Sequence, residues 1–415
     1  MKKIILFLFL LTGIVCLRLF FSQASDSWKD GENFSATVRL SETPKIKDGR
    51  QIFDIEIDGK DTVRVVSSRF PRFWYGENLS ITGKVSASVL ADEKIVYSTY
   101  FPKIEKNEHD VFFTLTGGIR QSVEILYRKY LPPTSAELLL GVVMGGKTGM
   151  NESFVNDLQT SGVMHVVAAS GMNVTFLAGF LLTVTSRLFA RKKAIIFSMV
   201  AIVWYTFLAG LEPSIVRAGI MAVLSFAAVL LGRQQTGALT LYITACLMLI
   251  INPTLLSDVG FHLSLAATAG ILFIKPLLTF KKLEGLELLK EDSSATFAAQ
   301  ITTLPLLILY FESIGIFSVI VNAAVLWMIP ILMILGSLAA FIGLLVPFLG
   351  SMIALTAYPF LWLFEMIITV SSPYHPTISV AYLPLSLVLG YYLVVASVLF
   401  WINTSKKNHE VSFHH

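Results

Sequence analysis

The segment 165–175, HVVAASGMNVT, carries a Ser-Gly pair inside a stretch that is otherwise apolar enough to cross a membrane. Such a break exposes backbone amides and carbonyls that lipid cannot satisfy, so it is tolerated where it faces protein or a water-filled cavity. Gly171 would allow another group to approach closely, and the amides after Ser170, with Asn173, would present the start of a half-helix to an anion such as phosphate. The pattern predicts a constriction of a substrate path, formed with His165, and a kink satisfied by neighbouring helices is the alternative.

Other polar and ionisable residues lie in or at the ends of the remaining apolar segments. An ionisable group in hydrocarbon costs several kcal/mol unless it is paired or hydrated, so an interior-facing functional role is the default hypothesis. Asp258 and His262 are four residues apart and share one helix face, which allows an Asp-His pair. Arg217 would counter phosphate charge near the outer face. The residues in question are Glu212, Arg217, Asp258, His262, Lys275, Gln300, Glu312, Asn322 and Glu365. Of these, Asp258, His262, Gln300 and Asn322 are predicted to line or brace the path.

Residues 141–148, GVVMGGKT, match the phosphate-loop pattern G-x-x-x-x-G-K-[ST]. That pattern holds phosphates when a strand precedes it and a helix begins inside it. Here the preceding SAELLL is helical in character, and the next helix starts after Gly149 with Asn151 as its cap. The sequence therefore predicts a flexible glycine-rich hinge in place of a nucleotide site.

The spacing of the residues gives little support for a metal site or for a catalytic nucleophile. A metal site from His165, His262 and Asp258 has no His-x-His or His-x-x-x-His ligand pair. A Ser170 nucleophile with His165 as base lacks G-x-S-x-G, and residues five apart point to different helix faces. The two cysteines, at 16 and 246, both lie in apolar stretches and form no Cys-x-x-Cys pair. No catalytic residue, metal or cofactor is predicted.

The composition indicates a polytopic membrane protein. Of the 415 residues, 54% are apolar and 14% are charged, and the mean hydropathy is +0.70. Soluble domains carry about a quarter charged residues, so a purely cytosolic enzyme is excluded. The net charge of +4 is too small to imply nucleic-acid binding by itself, and the positions of the charges therefore matter more than their sum.

The first part of the chain divides into an anchor and a polar domain. Residues 4–21 are apolar over about the length that crosses a bilayer, which predicts an uncleaved anchor over 1–25, with a cleaved signal peptide as the alternative. Over 26–112, with 13 basic and 15 acidic residues, apolar and polar positions alternate. The alternation predicts about five short strands and an extracytoplasmic barrel of the OB type. Such a barrel either binds nucleic acid or serves as a structural cap.

Helices are predicted for the rest of the chain. The pattern predicts amphipathic helices on or near the membrane over 113–160, and the transmembrane domain over 161–403. Its apolar segments are 163–186, 194–211, 213–232, 237–251, 258–279, 295–312, 316–345, 351–371 and 381–402. With the anchor these give about ten spans, and the segments at 237–251 and 316–345 could include broken or re-entrant helices. The fold class predicted is thus an α-helical polytopic membrane protein with a small outer all-β domain.

Loop charges predict the orientation, because Lys and Arg accumulate on the cytoplasmic side. The basic loop residues that share the side of Lys2 and Lys3 are Arg187, Arg191, Lys192, Lys193, Arg233, Lys281, Lys282, Lys290, Lys406 and Lys407. The short loops on the other side contain neither Lys nor Arg. Both termini, including the tail at 404–415, are expected in the cytoplasm, with the β domain outside. On this topology Lys147 would lie on the side that lacks ATP.

At these residues the chain resembles the ComEC family of competence proteins, the inner-membrane channels for uptake of single-stranded DNA. The resemblance rests on four stretches of sequence and their order. They are LLLGVVMGGKTGM at 138–150 with GVMHVVAASGMNV at 162–174, LEPSIVRAGIM at 211–221, LLSDVGFHLSLAATAGIL at 255–272, and QITTLPLLILYFESIGIFSVIVNAAVLWMIP at 300–330. The resemblance implies that 30–110 correspond to the family's OB-like outer domain.

The chain also departs from the family pattern. Family members usually show a second His where this chain has Asn173, and often Gln where it has His262. Many end in a metallo-β-lactamase-like domain with a His-x-His-x-Asp-His cluster, which the seven His residues here do not form. We therefore expect no nuclease activity and a separate nuclease partner, besides a DNA receptor and a cytoplasmic helicase.

The sequence, with this resemblance, predicts a channel for single-stranded DNA in the bacterial cytoplasmic membrane, acting in natural transformation. A transporter of a smaller anionic or lipid-linked substrate is an alternative, in which Arg217 anchors a single ligand. A scaffold of an uptake complex that transports nothing is another. The oligomeric state and the source of energy are left open.

Overall fold

A domain of β-strands precedes a body of packed helices. The computed structural model describes residues 2–21, 28–40, 43–55, 57, 62–89, 95–107, 111–146, 149–164, 171–234, 236–278, 287–311, 313–315, 318–372, 377–379 and 384–412. Two predicted path residues, His165 and Ser170, lie outside these ranges, and so does Glu312.

The described strands of the first domain confirm the alternation of apolar and polar positions. They are β1 Asn33–Arg39, β2 Lys45–Lys47, β3 Arg50–Ile55, β4 Val63–Ser68, β5 Asn78–Lys84, β6 Ser86–Val89, β7 Ile95–Tyr100 and β8 Lys103–Lys106. β1, β3, β4, β5 and β7 match the five predicted strands, whereas β2, β6 and β8 are too short or too exposed to show a period of two.

The strand pairs form two sheets. In the first, β2 pairs with β3, β3 with β4, β4 in parallel with β7, and β7 with β6. In the second, β5 lies between β1 and β8. β5 leads into β6 and β7 leads into β8, so these strands connect the two sheets along one side. The two sheets are called the barrel below, and their closure into a barrel of the OB type stays a prediction.

Most inward-facing positions of the barrel are apolar, and the exception Gln51 is buried with its side chain bonded to the backbone of Ser68, Pro71 and Phe73. Val63, Val65, Leu79 and Ile81 have no exposed surface, and the Trp28 and Phe34 rings meet edge to face at 5.7 Å. Because alternate residues of a strand point to the same face, these side chains fill one interior. The barrel therefore has a core separate from that of the helices.

The helices follow the apolar segments and are numbered here in chain order. Their bounds are α1 Lys2–Phe21, α2 Val111–Tyr130, α3 Pro133–Met144, α4 Glu152–Thr160, α5 Gly171–Leu188, α6 Arg191–Leu208, α7 Pro213–Leu230, α8 Gly237–Ile251, α9 Val259–Phe273, α10 Glu287–Phe311, α11 Ser318–Val325, α12 Met328–Leu345, α13 Pro347–Ser371 and α14 Leu385–Ser412. Two short strands, β9 Ser313–Gly315 and β10 Thr377–Ser379, pair with each other. The segment at 316–345 is broken, as predicted, because α11 and α12 are separate helices.

Four of the described helices are long and apolar enough to cross a membrane. They cover Pro213–Leu230, Val259–Leu277, Met328–Leu345 and Pro347–Ser371. Shorter apolar helices run over Leu8–Phe20, Pro133–Met144, Gly237–Ile251, Ser294–Tyr310 and Leu385–Leu399. Helix length and composition thus support a polytopic protein, and the number of ten spans stays a prediction.

Small residues let α12 and α13 pack closely. A Cβ on Gly350 would collide with the backbone of Gly343 and lie 2.8 Å from the Ala339 carbonyl oxygen. Gly and Ala at such positions allow the close backbone approach on which helix packing in lipid depends. The fully buried residues Ala354 and Ala357 continue this face along α13.

α3 differs from the prediction of amphipathic helices on or near the membrane over 113–160. Every residue from Ser135 to Met144 is buried, and the helix packs against α2, α12 and α13. A helix that is covered on all sides belongs to the core, not to a membrane surface. Its carboxyl end lies where the barrel meets the helices.

The barrel is fixed to the helices by polar contacts around that end. The Tyr75 hydroxyl donates to the Phe207 carbonyl at the end of α6, over 2.6 Å. Lys47 on β2 pairs with Glu152 on α4 at 2.8 Å. A Cβ on Gly117 of α2 would lie 2.6 Å from the Tyr75 carbonyl oxygen, so the glycine lets the barrel approach α2. These contacts position the junction that is described below.

Candidate functional site

Arg217 is the centre of the candidate site. Pro213 occupies the first turn of α7, where its missing amide costs no hydrogen bond, and Arg217 follows in the second turn. Its side chain is 8% exposed, and one guanidinium nitrogen donates to the Ser264 carbonyl of α9. Among the described residues Nε has no hydrogen-bond partner. The helix pair α7–α9 therefore holds a buried positive charge, and one of its donors is unused by the part of the chain that the structure describes.

The glycine predicted for close approach lies against this guanidinium. α5 begins at Gly171, and a Cβ placed there would lie 2.5 Å from Arg217 Nη2. The absence of a side chain therefore lets the start of α5 meet Arg217. The structure brings these two predicted residues together, while His165 and Ser170 lie outside the part described.

Asn173 braces the bundle. It is fully buried, and its Nδ2 donates to the Val142 carbonyl over 2.8 Å. The Tyr205 hydroxyl donates to the next carbonyl, Val143, over 2.9 Å. The last carbonyls of a helix have no partner within the helix, and in a buried helix such as α3 side chains must supply one. Asn173 thus caps α3, and its contact with an anion stays a prediction.

Arg120 on α2 completes the capping of α3, and nothing in the sequence singled it out. Its guanidinium donates to the Met144 and Gly145 carbonyls over 3.2 and 2.7 Å, and to the Leu208 carbonyl of α6 over 3.2 Å. It also lies 4.9 Å from the Tyr75 ring centroid. The partial negative charge at two helix ends balances this buried cation. Its signal in the sequence is weak, because a lone Arg in an amphipathic helix usually faces water.

Asp258 and His262 do not pair. Asp258 caps α9 by accepting a hydrogen bond from the Phe261 amide over 2.6 Å. His262 Nδ1 instead meets the Tyr310 hydroxyl of α10 at 2.7 Å, and the two rings are nearly parallel with centroids 6.0 Å apart. A carboxylate at the start of a helix is stabilised more by hydrogen bonds from the free backbone amides of the first turn than by a side chain one turn further along. Tyr310 is a site residue that sequence reasoning missed, since 48 positions separate it from His262.

The other predicted path residues are spread over the bundle. Gln300 lies half-buried on α10. Asn322 is buried on α11, which packs against α13, and its Oδ1 has no partner among the described residues. Glu365 accepts a hydrogen bond from Ser135 over 2.6 Å and so joins α13 to α3. The structure therefore places Gly171 and Arg217 next to α9, whereas Gln300, Asn322 and Glu365 lie in other parts of the helix bundle.

A second charged group lies at the junction of barrel and helices. Arg128 contacts Glu124 Oε1 at 3.0 Å and Glu137 Oε1 at 3.1 Å, and both carboxylate side chains are less than a tenth exposed. Burial raises the pKa of Glu137 to about 7, and the neighbouring Glu124 adds to this, while Arg128 opposes it. One cation thus serves two buried carboxylates on α2 and α3.

This pKa predicts how stability changes with pH. Between about pH 4.5 and 7 the folded protein retains a proton on Glu137 that the unfolded chain releases, so stability falls as pH rises through this window and then levels off. The glutamine of Glu137→Gln cannot titrate. As pH rises from 4.5 to 7, the thermal midpoint of the variant should therefore increase relative to that of wild type. The measurement is the thermal midpoint of the purified full chain in detergent across this range. Glu152→Gln, on an exposed ion pair, is the control and should show no such gain. Parallel curves for wild type and Glu137→Gln would contradict the assignment.

The comparisons with known proteins agree with one another. A family model described as Competence protein matches residues 142–405, which hold α4 to α13 and most of α14. ComE operon protein 3 of Bacillus subtilis (strain 168) is 26% identical over 206 residues, which cover 49% of this chain and 26% of that protein. The matched part of this chain thus covers about a quarter of the length of that relative. No solved structure gives a significant match. Because the family model matches more than half of the chain, this chain belongs to the Competence protein family.

Proposed function

We propose that the protein is a channel that carries single-stranded DNA across the bacterial cytoplasmic membrane during natural transformation. The observation that carries the proposal is the buried Arg217 guanidinium, which faces the glycine start of α5 with Nε unpartnered among the described residues. Family membership and the resemblance to ComEC proteins supply the substrate class.

A single buried cation suits the passage of a polyanion. Burial strengthens the attraction between the guanidinium and a phosphate, because little water screens it. The Nε donor of Arg217 would bind one phosphate oxygen without enclosing it. Such weak binding suits conduction, because the substrate must bind favourably enough to enter and weakly enough to leave. Arg217 would therefore contact each phosphate in turn as the strand moves.

The His262–Tyr310 pair would serve the bases. Tyr310 is 37% exposed, and its ring stacks on His262. Aromatic faces bind the bases of single strands with little sequence preference, at roughly 1–3 kcal/mol per base. A path with one phosphate contact and one aromatic surface would accept any sequence.

The predicted orientation agrees with these contacts. The loop charges place the starts of α5, α7 and α9 and the end of α10 on the side opposite the basic loops. Arg217 contacts α9 and approaches the start of α5, and His262 of α9 contacts Tyr310 near the end of α10. Four helix ends that the charges assign to the outer side thus meet in space. We infer about ten spans, cytoplasmic termini, an outer barrel, and a substrate path that begins in the outer half of the membrane.

Partners follow from the chemistry that the path does not supply. A strand needs a receptor outside, a nuclease that removes its complement and a helicase or other motor in the cytoplasm, and we propose that other competence proteins provide them. The chain itself acts as a conduit and not as an enzyme. Membrane lipid surrounds the helices, whose outward faces carry exposed residues such as Phe341, Leu345 and Trp401.

A transporter of a smaller anion or a lipid-linked substrate is the second candidate. The isolated charge of Arg217 favours it, because one guanidinium at a broken helix can hold one headgroup. The two candidates differ in whether the substrate is a polymer, and the following experiment separates them.

The test measures import of labelled DNA into a nuclease-protected cytoplasmic compartment. We expect deletion of the gene to abolish import while DNA still binds the cell surface, and reintroduction of the wild-type gene to restore it. Fluxes of small anions are followed in the same cells as the control. Normal DNA import after deletion, with loss of a small-anion flux, would overturn the channel and support the second candidate.

A further inference from the structure

A polar cavity lies where the barrel meets the helices. Its volume is about 180 Å³, and its walls come from β2, the segment after β4, α2, α3 and the glycine-rich turn after α3. Lys45 and Arg72 face it from the barrel, and Arg128 and Glu137 face it from the helices. The ion pair of Lys47 with Glu152 fixes the strand that carries Lys45. The cavity is distinct from the Arg217 site.

The charge of the cavity is positive. The charged residues that line it are Lys45, Arg72, Arg120, Arg128, Glu124 and Glu137. Arg128 binds both carboxylates, and the raised pKa of Glu137 further lowers the negative charge near neutral pH. Arg120 binds the carbonyls at the end of α3 and so offsets the negative end of that helix. Lys45 and Arg72 supply two further positive charges; the Arg72 guanidinium lies 4.2 Å from the Trp74 ring centroid, and Lys45 also attracts Glu152. Neither contact removes the positive charge, so both side chains can attract an anion.

Gly149 shapes one wall of the cavity. It has a φ of +98°, and a Cβ there would lie 2.7 Å from Arg128 Nη2 and 3.1 Å from Glu137 Oε1. A side chain at this position would thus displace the ion pair and fill the wall. Gly145 and Gly146, which belong to the segment that matches the phosphate-loop pattern, follow a helix and not a strand, and they also line the cavity.

The volume sets the size of the ligand. Pockets for drug-sized ligands measure about 300–1,000 Å³, so a cavity of about 180 Å³ encloses a single phosphate group but not a sugar and base attached to it. It is large enough for one tetrahedral oxyanion. Arginine and lysine together are the usual partners of phosphate oxygens.

We propose that the cavity binds a single phosphate group, held by Lys45 and Arg72 of the barrel against the Arg128 face of the helices. The group is either free phosphate or a phosphodiester of a DNA strand. The site stands apart from the channel proposal, because binding of free phosphate needs no strand and no transport. An occupied site would join the barrel to the helix body through the ligand.

The test is equilibrium dialysis of the purified full chain, in uncharged detergent, against radiolabelled inorganic phosphate. We expect one phosphate per wild-type chain and affinity at least about tenfold weaker in the double variant Lys45→Ala/Arg72→Ala, which removes two charge-assisted contacts. The matched control is Arg69→Ala/Lys103→Ala, which removes the same charge from barrel residues outside the cavity and should bind as wild type does.

Two additions keep the test decisive. Lys45→Glu alone changes an exposed strand residue, so its fold should persist and its binding should be lost, whereas Lys103→Glu should leave binding intact. A short oligothymidine that displaces the labelled phosphate identifies a phosphodiester as the ligand, and phosphate binding without displacement identifies free phosphate. No binding to wild type, or equal weakening in the cavity and control variants, would overturn the proposal.

Discussion

Arg217→Gln should lower DNA import by roughly 100-fold while the protein still folds and inserts. Glutamine retains a side-chain amide that can donate to the Ser264 carbonyl, but it carries no charge for a phosphate. A hydrogen bond to a charged group contributes roughly 1.5–3 kcal/mol, which corresponds to a factor of roughly 10–150. The measurement is protected cytoplasmic DNA per cell, normalised to the amount of protein in the membrane.

The companion variants separate charge from structure. Arg217→Lys retains the charge and should import more DNA than Arg217→Gln. Gly171→Ala should reduce import as well, because its Cβ would lie 2.5 Å from Arg217 Nη2 and would move the guanidinium. Arg187→Ala, near the other end of α5 and exposed, is the matched control and should import normally. Normal import by a folded Arg217→Gln would assign Arg217 to helix packing alone.

Arg120→Met should have the largest effect on stability, with a loss of about 3 kcal/mol or more in the free energy of unfolding. Hydrogen bonds to charged groups contribute about 1.5–3 kcal/mol each, and the variant leaves the Met144, Gly145 and Leu208 carbonyls without this donor. Contact with the Tyr75 ring is lost as well. Because Arg120 joins the barrel, α3 and α6, the barrel should also separate from the helices more easily.

The check combines unfolding of the purified chain in detergent with limited proteolysis. Faster cleavage between barrel and helices is expected in Arg120→Met at temperatures where the wild type resists. The control is Arg64→Met, which breaks an ion pair with Asp54 that is about half exposed and should change stability by less than about 1 kcal/mol. Equal stability of Arg120→Met and Arg64→Met would show that the carbonyl contacts contribute little.

Local pattern in the sequence determined most of the elements of this protein. The alternation around Phe34, Val63 and Leu79 predicted strands, because a period of two marks a face that must be buried. The cap at Asn151, whose side chain accepts from the Ser153 amide, was predicted because capping involves residues close in the chain. The same local reasoning showed that a helix precedes GVVMGGKT, which argues against a nucleotide loop. The Competence family was also visible in the sequence, from the order of four segments.

The tertiary structure alone decided which polar groups meet. Asn173 contacts Val142, 31 residues away, and His262 contacts Tyr310, 48 residues away. Each contact depends on the rotation and depth at which helices pack, and hydropathy specifies a face of a helix but not the residue opposite it. Arg120 shows the same limit: its partners are backbone carbonyls at two helix ends, which carry no residue-specific signal in the sequence. The elements were therefore encoded locally, while the site was created by packing.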